Sequence, residues 1–303
     1  MNKTQDYFMT VIVPVFNERD NMQRLEEELK KYLATAKLVS CILFVDDGST
    51  DGTKELVKEW MREGALDIRC HHQENGGMHA AHNAAYELMD TELNVCLDSD
   101  DLMPEDAVAS ILEFWERHGS DRVAGLAGLD ADVKTGELIG TAFAGDVQET
   151  TLTGFYAAGG RGDKKLVYRT ALMKQLPPYP VFPGEKYVGL GYKYMLADRV
   201  APLLTMNKVL CLVEYREDGS SRNMFRQYVL NPRGFAFLRK EGMKYQPSRR
   251  RRFMEAVHYV SASLLARNPG FLRESPRPLL TLAALPFGVV LTGLILAKNG
   301  RKE

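Results

Sequence analysis

The sequence is poor in the features that mark specialised folds. Its four cysteines, Cys41, Cys70, Cys96 and Cys211, include no Cys-x-x-Cys pair, which excludes the usual zinc spacings and a disulfide framework. No repeat or low-complexity tract interrupts it, and the first ten residues are polar with no apolar signal region. Together with the scattered cysteines, that start predicts a reduced, cytosolic body. Charge of one sign is also lacking: 39 Lys and Arg stand against 40 Asp and Glu, so the chain as a whole carries no footprint for nucleic acid.

What is present is the make-up of a globular protein, 303 residues of which 45% are hydrophobic and 26% charged. The charge is unevenly spread. From Ser248 onward ten Lys or Arg meet three Asp or Glu, an excess of seven positive charges, and the preceding residues are net acidic. A basic end on an acidic body suits an anionic membrane surface. The Arg249–Arg252 run alone is too small to name nucleic acid as a partner, and none is expected.

Along the chain, Val11–Phe16 is an apolar run too continuous for a strand with one wet face, and it reads as a central parallel strand. Pro14 lacks a donor and is expected to end its ladder. Met22, Leu25, Leu29 and Leu33 follow at helical spacing. Cys41–Val45 reads as a second buried strand, and Asp46–Gly52 supplies a turn and helix cap ahead of Leu56, Val57 and Trp60. A weaker strand at 68–71, a helix at 79–89, a strand at Val95–Leu97 and a helix opened by Pro104 complete the alternation. This predicts an α/β fold over residues 1–247, a doubly wound and mainly parallel sheet. Between 125 and 219 the pattern breaks into short apolar pieces, read as mixed strands and long loops.

Residues 248–303 read as a helical extension. Arg249–Ala266 is amphipathic, with Phe253, Val257, Val260 and Leu264 on its inner face, and 279–297 runs for 19 residues without a charge. That length suffices to span a membrane. Pro286, Gly288 and Gly293 interrupt it, which leaves a re-entrant or interfacial arrangement open, as well as a buried core helix. Membrane contact is the expectation adopted, and it places the protein at the cytoplasmic face of the cell membrane.

Ligands of open α/β sheets bind beyond the carboxyl ends of the strands. Standing there are Asn17-Glu18, Asp46-Asp47 and Asp98-Ser99-Asp100-Asp101, with a glycine-bearing Asn75-Gly76-Gly77 before the third helix. Each alone serves as a cap or a turn. Several carboxylates at one rim, however, repel one another unless a cation or ligand offsets them. Asp98 and Asp100 are hard oxygen donors of the kind that hold Mg²⁺ or Mn²⁺ alongside substrate phosphates. The pattern points to a metal-bound diphosphate.

Val11–Glu18, Val45–Thr53 and Leu97–Asp101, in this order and spacing, resemble the family 2 glycosyltransferases of the GT-A fold, over roughly residues 9 to 115. Asn75-Gly76-Gly77-Met78-His79 is similar to a subgroup motif that carries Lys where this chain has Met78. The resemblance implies inverting transfer of a sugar from a nucleotide diphosphate sugar, usually UDP-linked, to a hydroxyl of a lipid-linked or cell-envelope glycan. It implies that Pro14, Phe16, Glu18, Asp46, Asp47, Asn75 and Gly76 line the nucleotide site. Asp98 and Asp100 would hold Mn²⁺ or Mg²⁺ and the diphosphate, and Arg222 in a late loop would add positive charge to the phosphates. Inversion needs a base. Family members place it in a Glu-Asp pair, which is Glu185-Lys186 here, so Glu185 becomes the candidate and Asp163 a weaker one. A catalytically silent sugar-nucleotide-binding subunit and a nucleotidyltransferase are the alternatives.

Overall fold

The computed structural model describes residues 8–34, 40–214 and 224–300. Its strands are β1 (Met9–Val15), β2 (Ser40–Asp46), β3 (Ile68–His72), β4 (Leu93–Cys96), β5 (Gly125–Asp132), β6 (Glu149–Thr150), β7 (Lys164–Arg169) and β8 (Leu203–Val213). The first helices are α1 (Arg19–Ala34), α2 (Thr53–Glu63), α3 (Met78–Leu88), α4 (Ala107–His118), α5 (Leu152–Ala157), α6 (Thr170–Gln175) and α7 (Gly191–Ala197). After them come α8 (Met224–Leu230), α9 (Pro232–Tyr245), α10 (Arg249–Leu265), α11 (Phe271–Glu274) and α12 (Pro278–Asn299). Two compact units emerge, one of residues 8–34, 40–75, 81–178 and 193–214, the other of 76–80, 179–192 and 224–300.

All eight strands among the described residues lie in the first unit, in the order β3-β2-β1-β4-β7-β5-β8-β6. Strands β3, β2, β1 and β4 are mutually parallel, as the alternating pattern predicts. Strand β7 then enters antiparallel between β4 and β5, and β8 returns parallel to β5. Strand β1 carries Met9, Val11, Ile12, Val13 and Val15, all buried, and β2 buries Ile42 to Val45. Helices α1, α2 and α4 supply Leu25, Leu29, Val57, Trp60, Val108 and Ile111 to the same core. Apolar burial on this scale, roughly 25 cal/mol per Å², is what orders the sheet.

Two expectations are corrected. The β1 ladder runs through Pro14, which pairs with Val45, and continues to Val15 opposite Asp46. Ile12 O accepts from Leu97 N, so by alternation the Pro14 nitrogen faces the β4 side. Pairing there has already ended at Ile12↔Cys96, and no donor is missed. On α10, Leu264 is exposed rather than inward. Tyr259 fills the inner face instead, its hydroxyl donating to Phe271 O at 2.7 Å.

The second unit is helical. Met243, Ala256, Val257, Tyr259, Val260 and Ala284 form its core, and the Tyr187 and Phe235 rings stack at 4.8 Å. Helices α8 and α9, with residues 179–192, thus group with the C-terminal segment.

Where β5 starts, Gly125 has φ +151°, and a Cβ there would meet Val167 O of β7 at 1.9 Å. Backbone cannot yield as a flexible side chain can. Gly125→Ala is expected to cost about 1–3 kcal/mol, seen as a lower thermal unfolding midpoint. An unchanged midpoint would show that β5 and β7 part without loss.

Candidate active site

The rim of the first unit is built by three loops that leave neighbouring parallel strands. Asp47 N donates to Val15 O at 2.9 Å and Leu97 N to Ile12 O at 2.9 Å. The residues after β1, after β2 and after Leu97 therefore emerge on the same side of the sheet. Phe16, Glu18, Asp46, Asp47, Asp98 and Asp100 are brought together at one edge, with Pro14 one residue inside it.

The first two loops are laced together. Asn17, at φ 56°, donates its amide to Ser49 Oγ at 3.0 Å and accepts Thr50 N on Oδ1 at 2.8 Å. Glu18 N donates to Thr53 Oγ1, and Asp51 accepts Arg19 N at 3.0 Å and Thr53 Oγ1 at 2.6 Å. Burial opposes charge on Asp51, but these hydrogen bonds outweigh it and hold the carboxyl below its usual range. Phe16 is 47% exposed at the lip.

Asp46 is fully buried. Its Oδ1 accepts Ser49 N at 3.0 Å and its Oδ2 faces His72 Nδ1 at 2.6 Å, so it fixes the turn and ties β2 to β3. Asp47 receives Gln73 Nε2 at 2.7 Å. A Cβ on Gly48 would meet Asn75 N at 2.8 Å, which shows how closely the segment after β3 abuts this turn. Asp47, Gln73 and Asn75 thus share one corner.

The third loop is anchored to β8. Leu102 and Leu212 exchange backbone hydrogen bonds of 2.9 and 2.7 Å. Asp101 accepts Glu214 N on Oδ1 at 3.3 Å and lies 3.6 Å from Cys211 Sγ. Arg24 of α1 donates to Asp100 O at 2.8 Å and pairs with Glu214. Asp101 N donates to Asp98 O at 3.0 Å, closing a turn that leaves the Asp98 and Asp100 side chains partly exposed.

Beneath this loop the sequence reading missed a lysine. Lys165 of β7 donates to Cys96 O at 3.0 Å. Burial works against its charge, yet Cys211, Asp130, Asp98 and Asp101 outweigh that and raise its pKa above the ordinary lysine value. Burial lifts the Asp101 carboxyl to about 7 against the pull of Lys165, with Asp98 and Asp100 adding to the rise. Asp130 of β5 is lifted to about 6, by burial first and Asp163 as well, again against Lys165. Among the described residues its Oδ1 is buried with no hydrogen-bond partner. The available signal was two charged positions, Asp130 and Lys165, in stretches that fold as strands.

Among the described residues no group of three or more His, Cys, Asp or Glu is placed to enclose a metal ion. Asp98 and Asp100 nonetheless fit Mg²⁺ or Mn²⁺. Both offer hard oxygens on one short turn, and such ions take one or two carboxylates and fill the remaining positions with phosphate and water.

Glu185 lies in the second unit, 7% exposed. Its Oε1 accepts Arg233 N at 3.0 Å and Arg233 Nε at 2.9 Å, and its Oε2 accepts Gly234 N at 2.8 Å. It therefore caps α9 through two first-turn amides left open by the helix. Lys186 N donates to Asn231 Oδ1 at 2.7 Å. Gly76 belongs to this unit too, and the next residue, Gly77, has φ +90°, where a Cβ would meet Lys186 O at 1.9 Å. Asp163 is exposed on the loop before β7. Arg222 and the stretch Tyr215–Asn223 lie outside the described residues.

Comparison with known proteins fits this geometry. Residues 10–136 match the family model described as Glycosyl transferase family 2. An undecaprenyl-phosphate 4-deoxy-4-formamido-L-arabinose transferase of Aeromonas hydrophila is 30% identical over 117 residues, 37% of this chain and 35% of the relative. The chain thus aligns with about a third of that relative's length. Staphylococcus aureus TarS 1-349, solved with UDP-GlcNAc, superposes with a TM-score of 0.62 at 21% identity, covering 92% of this chain and 80% of TarS. The mannosyltransferase PcManGT of Pyrobaculum calidifontis, solved with GDP-Man and Mn²⁺, gives 0.57 at 18% identity, covering 95% and 88%. These likenesses confirm the expected GT-A type of fold.

The Asp130 carboxyl carries a pH signature. Unfolded it titrates near 3.8 and folded near 6, so between those values the folded state holds the additional proton. Stability then falls as pH rises from about 4 to about 6 and levels off above. Asp130→Asn should remove that component, of order 3 kcal/mol. Thermal midpoints of both proteins across this window test it, and parallel curves would refute it.

Proposed function

We propose, on the match of residues 10–136 to the model described as Glycosyl transferase family 2, that the protein transfers a sugar, with inversion, from a nucleotide diphosphate sugar to a hydroxyl of a lipid-linked or cell-envelope glycan. UDP is the proposed nucleotide. The observation that carries this reading is the register that sets Asp47, Asp98 and Asp100 on one rim of adjacent strands. The undecaprenyl-phosphate in the relative's name supports a lipid-linked acceptor. The basic, apolar C-terminal segment supports work at the cytoplasmic face of a membrane.

In this reading Asp47, Gln73 and Asn75 receive the base and ribose at their shared corner. Asp46, whose oxygens are already engaged, positions Asp47. Phe16 offers an exposed ring at the lip, with Pro14 and Glu18 close to it in the same loop, and Gly76 keeps the nucleotide role that its motif implies. Asp98 and Asp100 hold the diphosphate through a divalent cation. When bound, that cation supplies Lewis-acid stabilisation of the leaving diphosphate. Arg222 is proposed to add positive charge to the phosphates.

For the base, Glu185 has the family position and a cap's duties together. A carboxylate has about four lone-pair directions, and three donors already engage this one. The same hydrogen bonds, with Lys186 beside it, favour a second reading as a silent sugar-nucleotide-binding subunit.

Two measurements test the proposal. UDP-sugars should raise the thermal midpoint, more so with Mn²⁺, by mass action on the folded state. Asp100→Asn should keep the fold and lose the Mn²⁺ increment; an increment that survives would remove Asp100 from the site. Glu185→Gln should lower transfer by about 10²-fold or more while donor stabilisation persists. If turnover per folded molecule holds and only the midpoint falls, Glu185 is a cap and not the base.

A further inference from the structure

Helix α12 is long and apolar enough to cross a membrane by length and composition. Its contacts divide it into two unlike faces. Thr281, Ala284, Gly288 and Ile295 are buried, at spacings that share one side of a helix. That side packs on α10. A Cβ on Gly288 would meet Val260 side-chain carbon at 2.4 Å, and Thr292 Oγ1 donates to Ser261 Oγ at 3.0 Å. Both ends are held within the same unit. Arg277 Nε donates to Met243 O at 2.9 Å, and Lys298 Nζ lies 4.6 Å from the Phe225 ring centroid.

The opposite side carries no polar residue to meet water. Leu279 is 84% exposed and Val290 63%, and Leu282, Phe287, Val289 and Leu294 are exposed with them. A helix apolar all round belongs in a core or in lipid, and an exposed apolar strip of this length marks an interaction surface. Arginines stand beside it. Phe253 on the first turns of α10 meets Phe287 with ring centroids 5.6 Å apart, and Arg249, Arg250 and Arg251 on the same turns are exposed.

Spanning would conflict with these contacts. If α12 crossed the bilayer with its partner, α10 would take Arg249–Arg252, Glu255 and His258 to membrane depth, where ionisable groups are costly. We infer that α12 instead lies in the plane of an anionic phospholipid bilayer, its Leu279/Phe287/Val290 face in the acyl boundary and Arg249, Arg250 and Arg251 among the headgroups. This refines the membrane attachment proposed above and rests on it, but it needs no particular sugar chemistry.

The full chain would be floated with sealed vesicles of phosphatidylcholine alone or with added phosphatidylglycerol. Binding is expected on the anionic vesicles, falling with salt. Val290→Glu should reduce it about tenfold or more while leaving the UDP-sugar thermal shift unchanged. Single cysteines at Arg273→Cys and Gly300→Cys, compared with the parent chain, would be probed with an impermeant maleimide from outside. Labelling at both positions is expected. Labelling at one end only would establish a spanning helix, overturning the in-plane arrangement while membrane attachment stands. Absence of flotation, with a self-associated species that Val290→Glu dissociates, would assign the face to a second copy and overturn both. The thermal shift reports on donor binding independently of either result.

Discussion

The structure depends on keeping carboxylates close together in spite of their mutual repulsion. Two like charges about 4 Å apart repel by about 1 kcal/mol in water and about 4 kcal/mol near a protein surface. Asp98, Asp100 and Asp101 share one turn, and Asp130 lies on a strand behind it. The first unit meets this chiefly with a buried lysine. Lys165 is bonded to the carbonyl that precedes the acidic loop, and its charge draws on Asp98, Asp101 and Asp130. Its compensation is partial, since Asp101 and Asp130 remain lifted to about 7 and about 6. A rim left short of positive charge is disposed to bind a cation, and the fold supplies the rigidity that keeps the acids from separating: Leu102 against Leu212, Arg24 across Asp100 and Glu214.

The second unit shows the opposite economy, with one carboxylate serving several donors. Glu185 satisfies two amides of the α9 first turn and an arginine side chain. Acids are favoured at helix starts because the open amides and the helix dipole both attract negative charge. Position 185 therefore has a structural reason to be acidic whatever chemistry occurs nearby. Position 186 has none, and there the chain carries Lys where the family pattern has Asp. The backbone around 186 is nonetheless tightly specified, by Asn231 on one side and the missing Cβ of Gly77 on the other.

The sequence was legible where burial leaves a simple pattern. Strands β1 and β2 are covered on both faces and read as continuous apolar runs, and their polar successors marked the rim. Strands β5 and β8 did not read that way. Strand β5 contains Gly125, Gly128, Asp130 and Asp132, because Gly128 makes room for the Leu210 side chain and Asp130 faces a buried lysine. Strand β8 carries Asn207 and Lys208 in mid-course, with register shifts against β5. Lys165 escaped notice because a lysine in a strand reads as solvent-facing until the strand is known to lie between β4 and β5. Asp46 was legible as a rim residue but not as a buried one, since only the fold brings His72 and Ser49 to its two oxygens.

Helix α12 marks the limit of composition as a guide. Ala284 and Leu279 both count as apolar, yet one is buried and the other is the most exposed large apolar side chain described. A spanning helix and a helix lying on a membrane share the same apolar count. Either can pack small residues against a neighbouring helix, and here the packed face holds Thr281, Thr292 and a glycine admitting Val260, all engaged within the protein. Small and hydroxyl-bearing residues on one side with large aliphatic ones on the other amount to an amphipathicity of size and contact rather than of polarity. Polarity along the sequence does not carry that distinction, whereas side-chain packing does.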